Sequence, residues 1–596
     1  SLDTESAVIV ATAEIAGEKA AIAPVIVAWD GRLPLVEPNL RLRDATIALE
    51  SGEEIAIRIE DGSLVLDTSI PVGYHELHVN GGEVTSHVLS APVRAHGAPH
   101  GVSGVISPVY SLRERSHDAG LGGLAELSKL ADLCTSWEID VVGTLPLLAV
   151  FPDQPSPYSP ASRRAWNEIF VDFNSLPGEH SISLPRPPRS LWVDYGISGD
   201  RIRSELALYA QYVSETPRLL DRVEAFALSD PEIARYAEFM ALADIHGRNW
   251  RSWTDGVDPA PQRSLYHRVV QWLMDEQLSK LGSAMRDRGQ YLYLDLPVGC
   301  HPDGYDVWDD QELFAPAGIG APPDTLFAGG QDWGLPAPIP AASRRTGHAN
   351  FRKAVAKQLS VAGLLRIDHV MGIQRSWWVP HGADARDGAY VMQPADELFA
   401  IICIESVRAK AGVVGENLGT VPPEIRTGLT EHGLLGMVVA QDGSEEPGSE
   451  DLVALSSHDT PAFAAWWDGL DIEDHFELGV FDAARASVES ALREATVARL
   501  RARFGTQTAH ETRDALLVWL VGTPAAIALL NFDDLVMEER RQNVPGTDTE
   551  RPNWRLRHES TIEDVAADEA FVRLLAELRE FRPRPGIDHH GGGTSH

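Results

Sequence analysis

The sequence predicts a parallel α/β protein, a barrel in preference to an open sheet, preceded by a small all-β sandwich domain. Three observations carry that expectation. Short apolar runs recur between Val141 and Leu530 with helical patterns between them, which is the alternation of a parallel sheet. Up to about Ser90 the pattern has period two and is punctuated by turns. No G-x-G-x-x-G follows a strand and no G-x-x-x-x-G-K occurs, so the phosphate loops of nucleotide-binding open sheets are missing.

The β domain is expected over residues 1–92. Ile55, Ile57 and Ile59 alternate with Ala56, Arg58 and Glu60, and Asp61-Gly62 turns the chain into Leu64 and Leu66. A second hairpin, Tyr74 to Val79, turns at Asn80-Gly81-Gly82. Residues 93–104, with Gly97, Pro99, Gly101 and Gly104, read as a linker. The barrel is expected from 105 to 596, its strands at Val141–Leu145, Tyr291–Leu296, Leu364–Asp368, Val413–Glu416, Met437–Ala440, Leu452–Ser456 and Ala526–Leu530. Two stretches are too long for ordinary connections: 160–285, mostly helical, and 305–350, rich in Pro and Gly and read as a loop. Both are placed as insertions on the loop face. The uncharged run Ala515 to Leu530 is broken by Gly522-Thr523-Pro524 and is read as a buried helix, a turn and a buried strand rather than a membrane span.

Composition narrows the partners. Against 87 Asp+Glu stand 51 Lys+Arg, a net charge of −36, and that field repels phosphate backbones and anionic membranes. Neither nucleic acid nor membrane is an expected partner. Cys134, Cys300 and Cys403 lie too far apart in sequence for a metal knuckle or a disulfide framework. A reducing compartment is expected, and with acids at Asp3 and Glu5 where an export signal carries basic residues, a cytoplasmic one.

In a barrel the reactive groups lie at the C-terminal ends of the strands, and four acids end or follow apolar runs there: Asp295, Asp368, Glu416 and Asp459. Side chains alternate across a strand, so Arg366 and Asp368 share one face, where the cation is expected to lower the carboxyl pKa as a nucleophile requires. Glu416 follows Val413-Val414-Gly415 with no local cation and is expected to hold its proton. One ionised and one protonated carboxyl, about 5–5.5 Å apart, is the pair of a retaining glycosidase-type mechanism. Each acid alone could as well cap a helix or hold an arginine. His369 and His458 beside two of them favour a site. Neither His-Asp neighbour has the i, i+4 spacing of a zinc site, so no metal and no cofactor is expected.

These residues resemble a known family. Arg366-Ile367-Asp368-His369-Val370-Met371-Gly372, Trp377-Trp378-Val379-Pro380 and Val413 to Pro422 closely resemble the 4-alpha-glucanotransferases, also called amylomaltases or disproportionating enzymes. Ser156-Pro157-Tyr158-Ser159-Pro160, Gly329 to Pro336, Asn543 to Thr547 and Pro552-Asn553-Trp554 extend the likeness, in order, over about 104 to 560. Pro71-Val72-Gly73-Tyr74-His75 is similar to the N-terminal extension of the longer bacterial branch. The resemblance implies a (β/α)8 barrel with inserted subdomains and double displacement on maltooligosaccharides and α-glucans. It makes Asp368 the nucleophile, Glu416 the acid/base and Asp459 the holder of sugar hydroxyls. Arg366, His369 and His458 surround them, Asp295 is a further sugar-binding strand end, and Tyr158 is the ring platform at the cleaved sugar. Trp333, on a Gly-rich loop, is expected to cover bound glucan, with packing at the barrel edge as its other reading. Asn417 departs from the family's usual Asp and removes one charge beside the acid/base.

Two other functions remain open at this point. An amylase-like hydrolase would use the same carboxylates with water as acceptor. A non-catalytic carbohydrate-binding protein would be expected to have lost at least one of them, and none is lost.

Overall fold

The computed structural model describes residues 21–116, 118–179, 190–254, 256 and 258–582. Eight parallel strands form one sheet: β1 (Val102–Ile106), β2 (Val141–Gly143), β3 (Tyr291–Leu296), β4 (Leu364–Ile367), β5 (Gly412–Gly415), β6 (Gly436–Val439), β7 (Asp451–Ala454) and β8 (Ile527–Asn531). Their order runs β5-β4-β3-β2-β1-β8-β7-β6. A single parallel bridge, Val414 to Leu435, joins the two ends and closes the barrel. Its interior is filled by Val141, Tyr293, Leu364, Val414, Met437, Leu452 and Leu529, the branched and aromatic layers of a packed barrel core.

Seven of these strands coincide with the expected runs. The eighth, β1, lies in the segment read as linker, which ends inside it. The physical reason is Gly104. A Cβ there would meet Val141 at 2.8 Å and Leu529 at 2.9 Å, so the glycine answers a close approach inside the barrel rather than a turn.

Between β2 and β3 come the helices Tyr195–Ser214, Pro217–Ser229, Pro231–His246 and Pro261–Asp287. Prolines at the first turns of the last three are pre-set for helix starts. The 305–350 stretch is not the expected loop. It holds an antiparallel pair, Phe314–Ala321 with Gln331–Pro338, which joins Arg375–Pro380 and Ala389–Met392 in a four-stranded sheet. Pro316, Gly318, Gly320, Gly334, Pro336 and Pro338 sit within these strands, and the sheet's inner face packs Ala315, Ala317, Ile319, Leu335 and Trp378. The run read as buried helix, turn and strand is the helix Ala509–Val521 leading into β8.

The N-terminal region is all-β. Five strands run in the spatial order Val25–Trp29, Val84–Ala91, Gly73–Val79, Ala45–Ala48 and Glu54–Ala56, and the ribbon Arg58–Glu60/Ser63–Val65 lies apart from them. Ile26, Ile47, Leu64, Leu77 and Val88 form their common core. Asp61-Gly62 and Asn80-Gly81-Gly82 have positive φ and turn both hairpins as expected. Residues 1–20 of the expected domain lie outside the described residues.

This region sits on the barrel helix Ala395–Ala409. Tyr74 donates its hydroxyl to Glu405 at 2.6 Å, while the Arg352 and Arg408 guanidinium groups lie over its ring at 4.2 and 4.9 Å. Trp29 stacks on His432 at 4.8 Å. Val25, Leu89 and Ala91 share an apolar cluster with Ile401, Ile404 and Cys403. Among the described residues, no helix is long and apolar enough to cross a membrane.

Candidate active site

Arg366, on β4, is the centre of the site and is 5% exposed. Its Nη1 donates to both oxygens of Asp295, at 2.7 and 2.8 Å, and lies 2.9 Å from Asp368 Oδ1. Its Nη2 is 4.0 Å from Glu416 Oε2. Carboxylates from the ends of β3, β4 and β5 therefore converge on one guanidinium, whose planar fork can serve several acceptors at once.

Asp368 follows β4, where its backbone N–H donates to Leu296 O. Its pKa moves opposite to the sequence expectation. Burial, with Asp295 and Glu416 close by, pushes it up to about 6 although Arg366 pulls the other way. One cation shared among three acids does not offset desolvation. Glu416 also differs from the expected apolar setting: its carboxylate accepts from the backbone N–H of His369 at 2.8 Å and of Leu418 at 2.7 Å, with Arg366 alongside. His369 takes a left-handed conformation, φ 46°, to present that N–H, a backbone strain of the kind held at functional sites. Burial pushes the His369 ring below its ordinary pKa.

After β7, His458 Nε2 pairs with Asp459 Oδ2 at 3.2 Å. Desolvation in the mouth of the barrel works against both charges, although the Asp459 side chain is half exposed, yet each favours the other's ionised form. His458 is raised and Asp459, which also accepts from Asn543 Nδ2 at 2.7 Å, is held well below the usual carboxylate range. Tyr158 donates its hydroxyl to Asp295 Oδ2 at 2.7 Å, and its ring stacks on His458 with centroids 4.7 Å apart. Trp333, on the antiparallel sheet, meets His369 edge to face at 5.1 Å.

Eight of the nine expected residues thus gather through direct contacts around Arg366, Tyr158 and His458, and Trp333 joins them through His369. Asp295 lies near the end of β3, as the apolar run predicted. At 3% exposed, with both oxygens taken by Arg366 and one also by Tyr158, it anchors the cation beneath the mouth. Sequence reasoning assigned no role to Asn543 or to Trp554, whose ring lies 5.2 Å from Tyr158. The signal was present in the Asn543 to Thr547 and Pro552-Asn553-Trp554 motifs. Among the described residues no group of His, Cys, Asp and Glu has the arrangement of a metal site.

Comparison with known proteins bears on the family and the fold. The family profile described as 4-alpha-glucanotransferase matches residues 107–562. A 4-alpha-glucanotransferase of Mycobacterium tuberculosis (strain ATCC 25618 / H37Rv) is 31% identical over 88% of this chain and 82% of its own. One from Haemophilus influenzae is 28% identical over 86% and 84%. The crystal structure of amylomaltase from Corynebacterium glutamicum superposes with a TM-score of 0.80 at 23% identity, covering 96% of this chain and 92% of that one. The amylomaltase from Streptococcus agalactiae in complex with acarbose gives 0.68 at 22% identity, covering 80% and 98%.

Proposed function

This chain belongs to the 4-alpha-glucanotransferase family, and from that premise we propose that it moves α-1,4-glucan segments between maltooligosaccharides, or to glucose, by retaining double displacement. The observation that carries the proposal is the convergence of Asp295, Asp368 and Glu416 on Arg366 at the mouth of the barrel. An Asp368 oxygen attacks the anomeric carbon while Glu416 protonates the departing glycosidic oxygen, giving a glycosyl-enzyme and a shortened sugar. Glu416, now ionised, takes the proton from an acceptor hydroxyl, which displaces Asp368 and restores both groups. Asp459, half exposed beside His458, is the carboxylate for the sugar hydroxyls. Tyr158, Asp295, Arg366, His369 and His458 hold the geometry, and Trp333 roofs the donor side.

Hydrolysis would share every step to the glycosyl-enzyme. The four-stranded sheet carrying Trp333 beside His369 favours transfer, because an aromatic cover there would keep bulk water from the intermediate. Incubation with maltotriose and sizing of the products decides between them. A ladder of longer and shorter maltodextrins with glucose is expected; glucose and maltose alone would replace transfer by hydrolysis. Proton and nucleophile both come from side chains here, so turnover is expected to survive a strong chelator. Loss restored by one specific ion would contradict that.

The elevated Asp368 sets the pH response. The free enzyme attacks only with Asp368 ionised, so kcat/KM for donor cleavage is expected to fall as pH drops through about 6 rather than through about 4, the ordinary aspartate value. An acid limb below pH 5 would show that substrate-free Asp368 is not held up by its surroundings.

A further inference from the structure

The barrel closes at one seam, between β5 and β6, and Glu416 lies one residue beyond the end of β5. Two backbone hydrogen bonds stitch that seam: Leu435 N to Val413 O at 3.0 Å and Gly415 N to Leu435 O at 2.8 Å. At the next step a side chain takes over, and Met437 N donates to Asn417 Oδ1 at 2.7 Å. On its other flank Glu416 is held by two main-chain bonds, Glu416 N to Ile367 O at 3.0 Å at the end of β4 and Val370 N to Glu416 O at 2.9 Å from the turn after it. The acid/base is therefore fixed by backbone to β4 and the turn after it, while beyond Gly415 the link toward β6 runs through the amide side chain of its neighbour.

We infer that Asn417 is a positioning residue for Glu416, serving as the third stitch of the β5–β6 seam. The inference rests on the reading of Glu416 as acid/base. Two further observations support it. Leu418 N, one of the two donors holding the Glu416 carboxylate, belongs to the residue immediately after Asn417, so displacement of Asn417 moves a hydrogen bond on the reacting group itself. Gly436 leaves room for the arrangement: a Cβ there would stand 2.8 Å from Asp451 Oδ1 and 3.2 and 3.3 Å from Asn417 Nδ2 and Oδ1. The seam has space for the amide and for little else. What it requires of residue 417 is an acceptor oxygen for Met437 N–H, which aspartate also offers, and not the charge.

Two donors separate positioning from mere support of the fold. Maltotriose loses a sugar alcohol, which needs a proton from Glu416, whereas α-maltosyl fluoride loses fluoride, which needs little assistance. For Asn417→Ala, kcat/KM on maltotriose is expected to fall roughly tenfold to a hundredfold, the scale of an ångström-sized misplacement. Fluoride release is expected to change by less than about threefold. Asn417→Asp keeps the acceptor and is expected to stay within about threefold of wild type on both donors. Gly436→Ala, which crowds the amide from the opposite strand, is expected to reproduce the Asn417→Ala pattern and serves if that variant does not fold. Equal losses on the two donors, or no loss on maltotriose, would overturn the positioning role. Glu416→Gln separates the two levels. It is expected to lose about two to four orders of magnitude on maltotriose, and wild-type turnover there would overturn the acid/base reading itself. A collapsed Glu416→Gln beside an unaffected Asn417→Ala would overturn only the inference about Asn417.

Discussion

Asp368→Asn is expected to lower glucan transfer by about four orders of magnitude or more, and above pH 6 to make the protein more stable. The loss of activity follows from chemistry that no neighbour can supply: Asp295, another acid on the same guanidinium, is buried and bonded to Arg366 and Tyr158, and Glu416 is engaged as the acid/base. The gain in stability follows from the carboxyl's position. Its pKa stands at about 6 in the folded protein and near 4 in an unfolded chain. Between those values the folded state binds the proton more tightly, so stability falls as pH rises through that window and the deficit is complete above it. Asparagine removes the charge that burial, Asp295 and Glu416 oppose. The melting temperature is expected to rise by roughly 1–3 °C at pH 7.5 and to match wild type near pH 4. Calorimetry at the two pH values checks the second half. A variant less stable than wild type at pH 7.5 would mean that Arg366 outweighs the other groups, as the sequence alone suggested.

Arg366→Met is expected to act in the opposite sense, destabilising the fold by about 3–5 kcal/mol at neutral pH, because it strands acids that share one buried cation. Asp295 loses its bidentate partner, Asp368 loses a contact at 2.9 Å, and Glu416 loses a cation at 4.0 Å. Much of that cost belongs to the orphaned Asp295 and not to the worth of the ion pair. Arg366→Met combined with Asp295→Leu is therefore expected to recover at least half of the stability while remaining inactive, since a buried pair can be exchanged for apolar side chains at little net cost. Denaturant melts of the single and double variants measure it. A double variant no more stable than the single one would place the energy in the pair itself.

Seven barrel strands were legible because an apolar run between helical patterns is a local signal, and β1 was not because Gly104 serves a contact that only the closed barrel creates. Gly318 and Gly320 misled in the same way. They read as loop residues, yet each lies in a strand that pairs with Gln331–Pro338 and leaves no room for a Cβ beside Asp332 or Gln331. The acids of the site were legible from their places at strand ends. Their proton affinities were not, because the groups that set Asp368 come from β3, β5 and the segment after β7, all distant in sequence. Arg366 was the one neighbour that sequence spacing put beside it, and its pull is outweighed by burial.

The docking of the β region on the helix Ala395–Ala409 has a consequence for how this chain is free to vary. Tyr74 is held between Arg352 and Arg408 and bonded to Glu405, Glu50 pairs with Arg408, and a Cβ at Gly73 would lie 2.5 Å from Glu50 Oε2. With Val25, Leu89 and Ala91 packed among Ile401, Cys403 and Ile404, the boundary visible in the sequence does not divide the apolar interior. Inheritance follows the interior. A change of size or charge on that helix is felt by residues more than three hundred positions earlier, so the two stretches are bound to drift together, and a β region borrowed from another barrel would have to supply its own partner for Arg408.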